Sequence, residues 1–148
     1  MAAKSFRCRL ITPVAQVLDE QVTSAVLPAW DGLMGFLPDR APIVAKLGLG
    51  ELSLRFADSS KGKGGSRSFL VEDGFAQMVN NKLTILAARA IPTESLTSTE
   101  AQAELKEAEA RRPDPSKNAK VEADRIKADK ARARLKVQLA QKSGGKGI

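Results

Sequence analysis

The segment Asp31-Gly32-Leu33-Met34-Gly35-Phe36-Leu37-Pro38-Asp39-Arg40-Ala41-Pro42 leaves its backbone less choice than any other stretch of the chain. Each glycine permits positive φ or a close backbone approach, and each proline fixes φ and removes a donor. An ordinary helix or a long uninterrupted strand is excluded here. The residues predict a rigid, shaped turn, with Leu33, Met34, Phe36 and Leu37 on one short strand. A tight loop between strands accounts for the glycines and prolines equally well. On that reading Leu33, Met34 and Phe36 are core or edge packing; on the other they meet a partner. Trp30, apolar with one polar atom, suits a core or an interface.

Around this segment the pattern is strand-like. Phe6, Cys8 and Leu10 alternate with Ser5, Arg7 and Arg9, the period of a half-buried strand. Further short runs follow at 14–18, 22–27, 43–47, 49–56, 68–72, 75–79 and 83–88, each bounded by Gly, Pro, Asn or Asp. Many short strands with frequent turn signals predict a sandwich of about eight to ten antiparallel strands over residues 1–90. Asn80-Asn81 suits a two-residue hairpin, because Asn tolerates positive φ. Lys61–Arg67 reads as a longer, flexible hairpin tip.

From residue 91 the composition changes to Ala, Glu, Lys, Arg and Gln, which favour helix. Thr97-Ser98-Thr99-Glu100 has the form of a capping box. A first helix is expected over about 97–112, broken by Pro113-Asp114-Pro115. A second, capped by Ser116 or Asn118, is expected over about 118–141, before a flexible basic tail. Ile126, Leu135 and Leu139 are its only suitably spaced large aliphatics. Such a helical hairpin buries little and depends on tertiary packing, so it is expected to dock weakly and to be able to detach.

Charge is unevenly placed. The chain carries +7 overall, yet residues 111–148 hold twelve Lys/Arg and four Asp/Glu, so the tail is +8 and the remainder −1. There is no histidine, which removes His-based catalysis and His metal ligands, and the single Cys8 permits no internal disulfide. No apolar run approaches the ~20 residues that span a bilayer, and residues 1–7 lack the apolar stretch of a secretory signal.

Few groupings suggest chemistry. Glu72-Asp73 resembles an acid/base pair, but adjacent strand residues point to opposite faces. Gly62-Lys63-Gly64-Gly65-Ser66 imitates a phosphate loop, yet a strand rather than a helix is expected after it. Neither supports an enzyme. The basic second helix is read either as a solvated face, as a contact for an acidic protein, or as a nucleic-acid-binding arm. Four residues after Glu122 and Asp124 stand Ile126 and Ala128 rather than cations, so little lacing is expected to relieve its repulsion. Residues 111–148 contain no aromatic residue to stack on a base, which weighs against nucleic acid.

The Gly32–Pro42 order resembles the signature of the epsilon subunit of rotary F-type ATP synthases, Gly-x-x-Gly-(aliphatic or aromatic)-x-Pro-x-(His or Arg)-x-Pro. Val71–Ala87, about forty residues on, is similar to that family's strand, hairpin and strand, and the likeness runs over roughly residues 5–140. The resemblance implies a non-catalytic rotor subunit of a proton-driven synthase, peripheral on the cytoplasmic face of the membrane. It implies a sandwich linking the gamma subunit to the c-ring, and a hairpin that contacts acidic loops of the beta subunits and restrains ATP hydrolysis. Leu33, Met34 and Arg40 in the signature, and Arg125, Arg132 and Arg134 in the second helix, are the candidate contacts. Some members bind ATP through (Ile/Leu)-Asp-x-x-Arg-Ala at the start of the first helix. Here Thr97 replaces the Asp and Glu100 the Arg, a carboxylate where a phosphate needs a cation. No cofactor and no metal are expected.

Overall fold

The computed structural model describes residues 4–57 and 64–144. Lys61–Lys63 of the expected hairpin tip and residues 145–148 of the tail lie outside the described residues. The chain divides into two units, one ending at Pro92 and one beginning at Thr93.

The first unit is built from eight strands: β1 Phe6–Ile11, β2 Gln16–Val22, β3 Ser24–Ala29, β4 Gly32–Phe36, β5 Ile43–Leu47, β6 Gly50–Arg55, β7 Ser66–Val79 and β8 Lys82–Pro92. Their order is β2-β1-β8-β7-β5-β3-β4, with β6 pairing both β3 and β7. All pairs are antiparallel except β1–β8. A hairpin turn dictates antiparallel pairing only between neighbours in sequence. β1 and β8 are separated by the whole course of the unit, so no turn sets their direction and the alternation cannot show it.

Alternation then builds the interior. Phe6, Cys8 and Leu10 are buried on β1, while Arg7 stays outside. They meet Leu27, Phe36, Leu52, Phe69, Met78, Leu83 and Ile85 in one apolar cluster. Full burial of such side chains supplies about 1.5–3 kcal/mol each.

The sequence suggests two strands at 68–72 and 75–79, but the structure contains one, β7. Asp73 (φ 55°) and Gly74 (φ 120°) bend it without interrupting its register against β8. The first half of β7 pairs β6 and the second pairs β5. A single long strand therefore serves two parts of the sheet. Asn80 and Asn81, both at positive φ, close the hairpin into β8.

The second unit opens with a 3-10 turn, Thr93–Ser95, followed by α1 (Ser98–Ala110) and α2 (Ala119–Gly144). The Thr97 hydroxyl accepts the Glu100 amide at 3.4 Å and caps α1. Asn118 caps α2, its Oδ1 accepting the amides of Lys120 and Val121 at 3.0 and 3.3 Å.

Ion pairs identify the facing rows of the two helices. Arg111 meets Asp129 at 2.6 Å and Glu104 meets Lys136 at 2.8 Å. On α1 the row is Ala101, Glu104, Ala108 and Arg111; on α2 it is Asp129, Ala133, Lys136 and Ala140, spaced three and four apart as one helical face requires. All four alanines are buried. Small side chains and charge pairs thus line the facing rows; of the three expected aliphatics Leu139 is buried, whereas Ile126 and Leu135 are only half-buried. The acids that hold the α2 cations Arg132 and Lys136 come from α2 itself three residues back, Asp129, and from α1, Glu104.

Candidate partner interface

Gly32 sits at φ 136° and turns the chain from β3 into β4. Gly35 has no positive φ and open space beside it, so its lack of a side chain has no steric cause among the described residues. Along β4, Phe36 is buried, Met34 packs against the core from the edge, and Leu33 is 76% exposed. Trp30, just before the turn, is 71% exposed. The signature therefore divides: Trp30 and Leu33 stand at one end of β4, and the loop carrying Leu37, Asp39 and Arg40 at the other. At ~3.4 Å per residue the strand holds the two ends roughly 13 Å apart.

The far end is tightly organised. Asp39 adopts φ 64°, unusual for a residue with a side chain. Its amide donates to Asn81 Oδ1 at 2.6 Å, and Asn81 Nδ2 donates back to Asp39 Oδ1 at 2.9 Å. Lys4 Nζ meets Asp39 Oδ2 at 3.1 Å. These donors, Asn81 foremost and Lys4 next, hold the Asp39 carboxyl below its ordinary pKa. Arg40 lies over the Phe36 ring, 5.2 Å from its centre. No sequence motif announced this arrangement; the two consecutive asparagines read only as residues that tolerate the positive φ of a hairpin turn.

The acid pair separates. Glu72 is half-buried and lies 3.9 Å from Arg89, while Asp73 is exposed at the bend of β7. Burial pushes the Cys8 thiol up to about 12, leaving it a packing residue rather than a nucleophile. Ser66 opens a strand, so Gly64-Gly65-Ser66 is not a helix-initiating phosphate loop; Gly62 and Lys63 lie outside the described residues. Among the described residues there is no cluster of three metal-ligating side chains and no helix long and apolar enough to cross a membrane.

On α2 the candidate cations differ in surroundings. Arg132 is half-buried and donates to Asp129 at 3.0 Å. Arg125 is exposed. Arg134 joins Lys127, Lys130, Arg111 and Arg112 around a groove of about 420 Å³ whose apolar lining includes Ile126, Ala123 and Pro113. At the start of α1, Thr97 is the cap and Glu100 is exposed; neither offers a cation to a phosphate.

A family model described as ATP synthase, Delta/Epsilon chain, beta-sandwich domain matches residues 5–93. The chain is 36% identical over 104 residues to the ATP synthase epsilon chain of Rhodopirellula baltica, covering 70% of this chain and 77% of that one. It is 31% identical over 141 residues to the ATP synthase epsilon chain of Rippkaea orientalis, covering 95% and 98%. Among solved structures, a chain of the Tetrahymena thermophila mitochondrial ATP synthase central stalk and c-ring superposes with a TM-score of 0.66 over 95% of this chain and 99% of that chain. At 15% identity that likeness speaks for the fold. The nucleic-acid alternative is left without support. With its strand unit matched throughout and one relative matched almost end to end, the chain belongs to the epsilon-chain family of F-type ATP synthases, as a non-catalytic rotor subunit.

Proposed function

We propose that the strand unit couples the gamma subunit to the c-ring of the synthase and that the helical hairpin restrains ATP hydrolysis. The observation that carries this reading is the division of the signature between two exposed ends of β4. Leu33 with Trp30 offers an apolar contact, and Met34 supports it from the edge of the core. Arg40, set on the Phe36 ring, offers a cation to carboxylates or carbonyl oxygens. Two chemically different contacts on one rigid strand suit a part that must hold two partners while turning.

The hairpin acts through charge. Arg125 and Arg134 are exposed cations suited to acidic loops of the beta subunits; Arg132, held by Asp129, shapes the helix surface beside them. The protein performs no bond chemistry. It changes the free-energy difference between rotor states through contacts made in one state and not in another. It lies at the membrane through its partners, on the cytoplasmic face.

Rebuilding the stripped enzyme with the chain ended after Pro92 tests both halves. The shortened chain is expected to restore proton-coupled synthesis while ATP hydrolysis rises several-fold over the enzyme rebuilt with the full chain. Unchanged hydrolysis would remove the restraining role, and failure to restore coupling would remove the linking role. Calorimetry with ATP on the isolated chain is expected to show no micromolar binding, because the cation a phosphate requires is Glu100 here.

A further inference from the structure

We infer that Asn81, at the tip of the β7–β8 hairpin, is a positioning residue that sets the Asp39 turn and so presents Arg40 to the partner. A two-residue hairpin with both central residues at positive φ is best served by Asn followed by Gly. This chain instead keeps Asn81 at φ 56°. Turn geometry tolerates asparagine there but would be served at least as well by glycine, and the contacts of the side chain supply the reason for it. Asn81 Oδ1 accepts the Asp39 amide at 2.6 Å and Nδ2 donates to Asp39 Oδ1 at 2.9 Å, so one amide group holds both the backbone and the carboxylate of a residue 42 positions away.

The hairpin tip is itself anchored, since the Arg7 amide of β1 donates to the Asn81 carbonyl at 3.0 Å. Asp39 needs such a clamp. It stands in a left-handed conformation that costs a side-chain-bearing residue about 1 kcal/mol or more, and that persists only when its surroundings impose it. Lys4 occupies the second carboxylate oxygen, leaving the bond from the Asn81 amide undisturbed. The following residue is Arg40, whose guanidinium rests over Phe36. Fixing Asp39 therefore fixes where the cation begins, and frees the partner contact from the entropy of ordering the loop.

The inference rests on Arg40 as a partner contact, and the test separates the two. Asn81→Gly removes the clamp while keeping the hairpin in its preferred turn. In the full chain, hydrogen exchange at the Asp39 amide is expected to speed up about tenfold, with the β5, β7 and β8 amides unchanged. In competition with the unaltered chain for enzyme stripped of this subunit, the variant is expected to bind about fivefold more weakly. Arg40→Gln is expected to weaken binding at least as much, and adding Asn81→Gly to it to cost little more. Continued protection of the Asp39 amide would overturn the clamp. Undiminished binding by Asn81→Gly, or full additivity with Arg40→Gln, would overturn the positioning role while leaving Arg40 as a contact. Undiminished binding by Arg40→Gln would overturn both.

Discussion

At Gly74 a Cβ would stand 1.8 Å from the Leu86 carbonyl oxygen, in a backbone held at φ 120°. Both the clash and the conformation forbid a side chain where β7 bends. Gly74→Ala should cost about 3 kcal/mol or more, read as a lower denaturation midpoint with an unchanged dependence on denaturant. A second residue-scale prediction concerns acid. Arg7 donates to both carboxylate oxygens of Asp19, at 2.7 and 2.6 Å, and that hydrogen bonding holds the Asp19 pKa below its ordinary 3.8. A carboxyl depressed in the folded state contributes stability above its unfolded pKa and loses it as pH falls through the lower folded value. Asp19→Asn should therefore flatten the fall in stability below about pH 4, leaving the curve above pH 5 parallel to that of the unaltered chain. Parallel curves throughout would show that the pair adds nothing. These constraints were unequally visible in advance. Gly74 follows an Asp in a strand pattern and could be any turn glycine, because the atom it avoids belongs to a strand twelve residues onward. Gly32 was legible, since its turn is local.

The hairpin combines close alanine packing and ion pairs with one buried large aliphatic of α2 among the described residues, Leu139. Ala108 and Ala133 let the backbones approach, and the charges of Glu104 and Lys136 close the gap beside them. Lys136 is the more enclosed partner, with a side chain 14% exposed against 51% for Glu104. A double-mutant cycle of Glu104→Ala and Lys136→Ala should give a coupling of roughly 0.5 kcal/mol that shrinks as salt rises. Ala108→Leu should do more damage, because a larger side chain in that row forces the helices apart. A coupling near zero at low salt would mean that the alanine row alone holds the hairpin. Strands and helices were readable from period and composition, because those signals are written along one segment. Pairing was not. The parallel β1–β8 ladder, the union of two expected strands into β7 and the cross-helix ion pairs all depend on residues distant in sequence. The expectation of a basic helix with little lacing fell short partly for this reason: Asp129 takes Arg111 from the other helix and Lys136 takes Glu104, while the local pair Asp129–Arg132 lies at i,i+3 rather than i,i+4.

For the whole molecule, the tail's excess charge decides what kind of brake it can be. Arg111, Arg132 and Lys136 are held by acids of the hairpin, while Arg125, Lys127 and Arg134 form no ion pair among the described residues. Cations held apart on a helix raise its energy until an acidic surface meets them, so contact should be favoured most where salt is low. At 0.15 M the screening length is about 8 Å, and exposed pairs weaken accordingly. Restraint of hydrolysis through these side chains should therefore relax as ionic strength rises. Replacing Arg125, Lys127 and Arg134 together by Glu should raise ATP hydrolysis in the rebuilt enzyme several-fold, and should abolish most of its dependence on salt. The same substitutions should leave incorporation into the complex unchanged, because the contacts proposed for assembly lie at the two ends of β4. Equal loss of restraint and incorporation would mean that the basic helix holds the subunit in place. Loss of neither would assign the restraint to a surface of the hairpin away from these three side chains and from the groove beside Ile126 that Lys127 and Arg134 line.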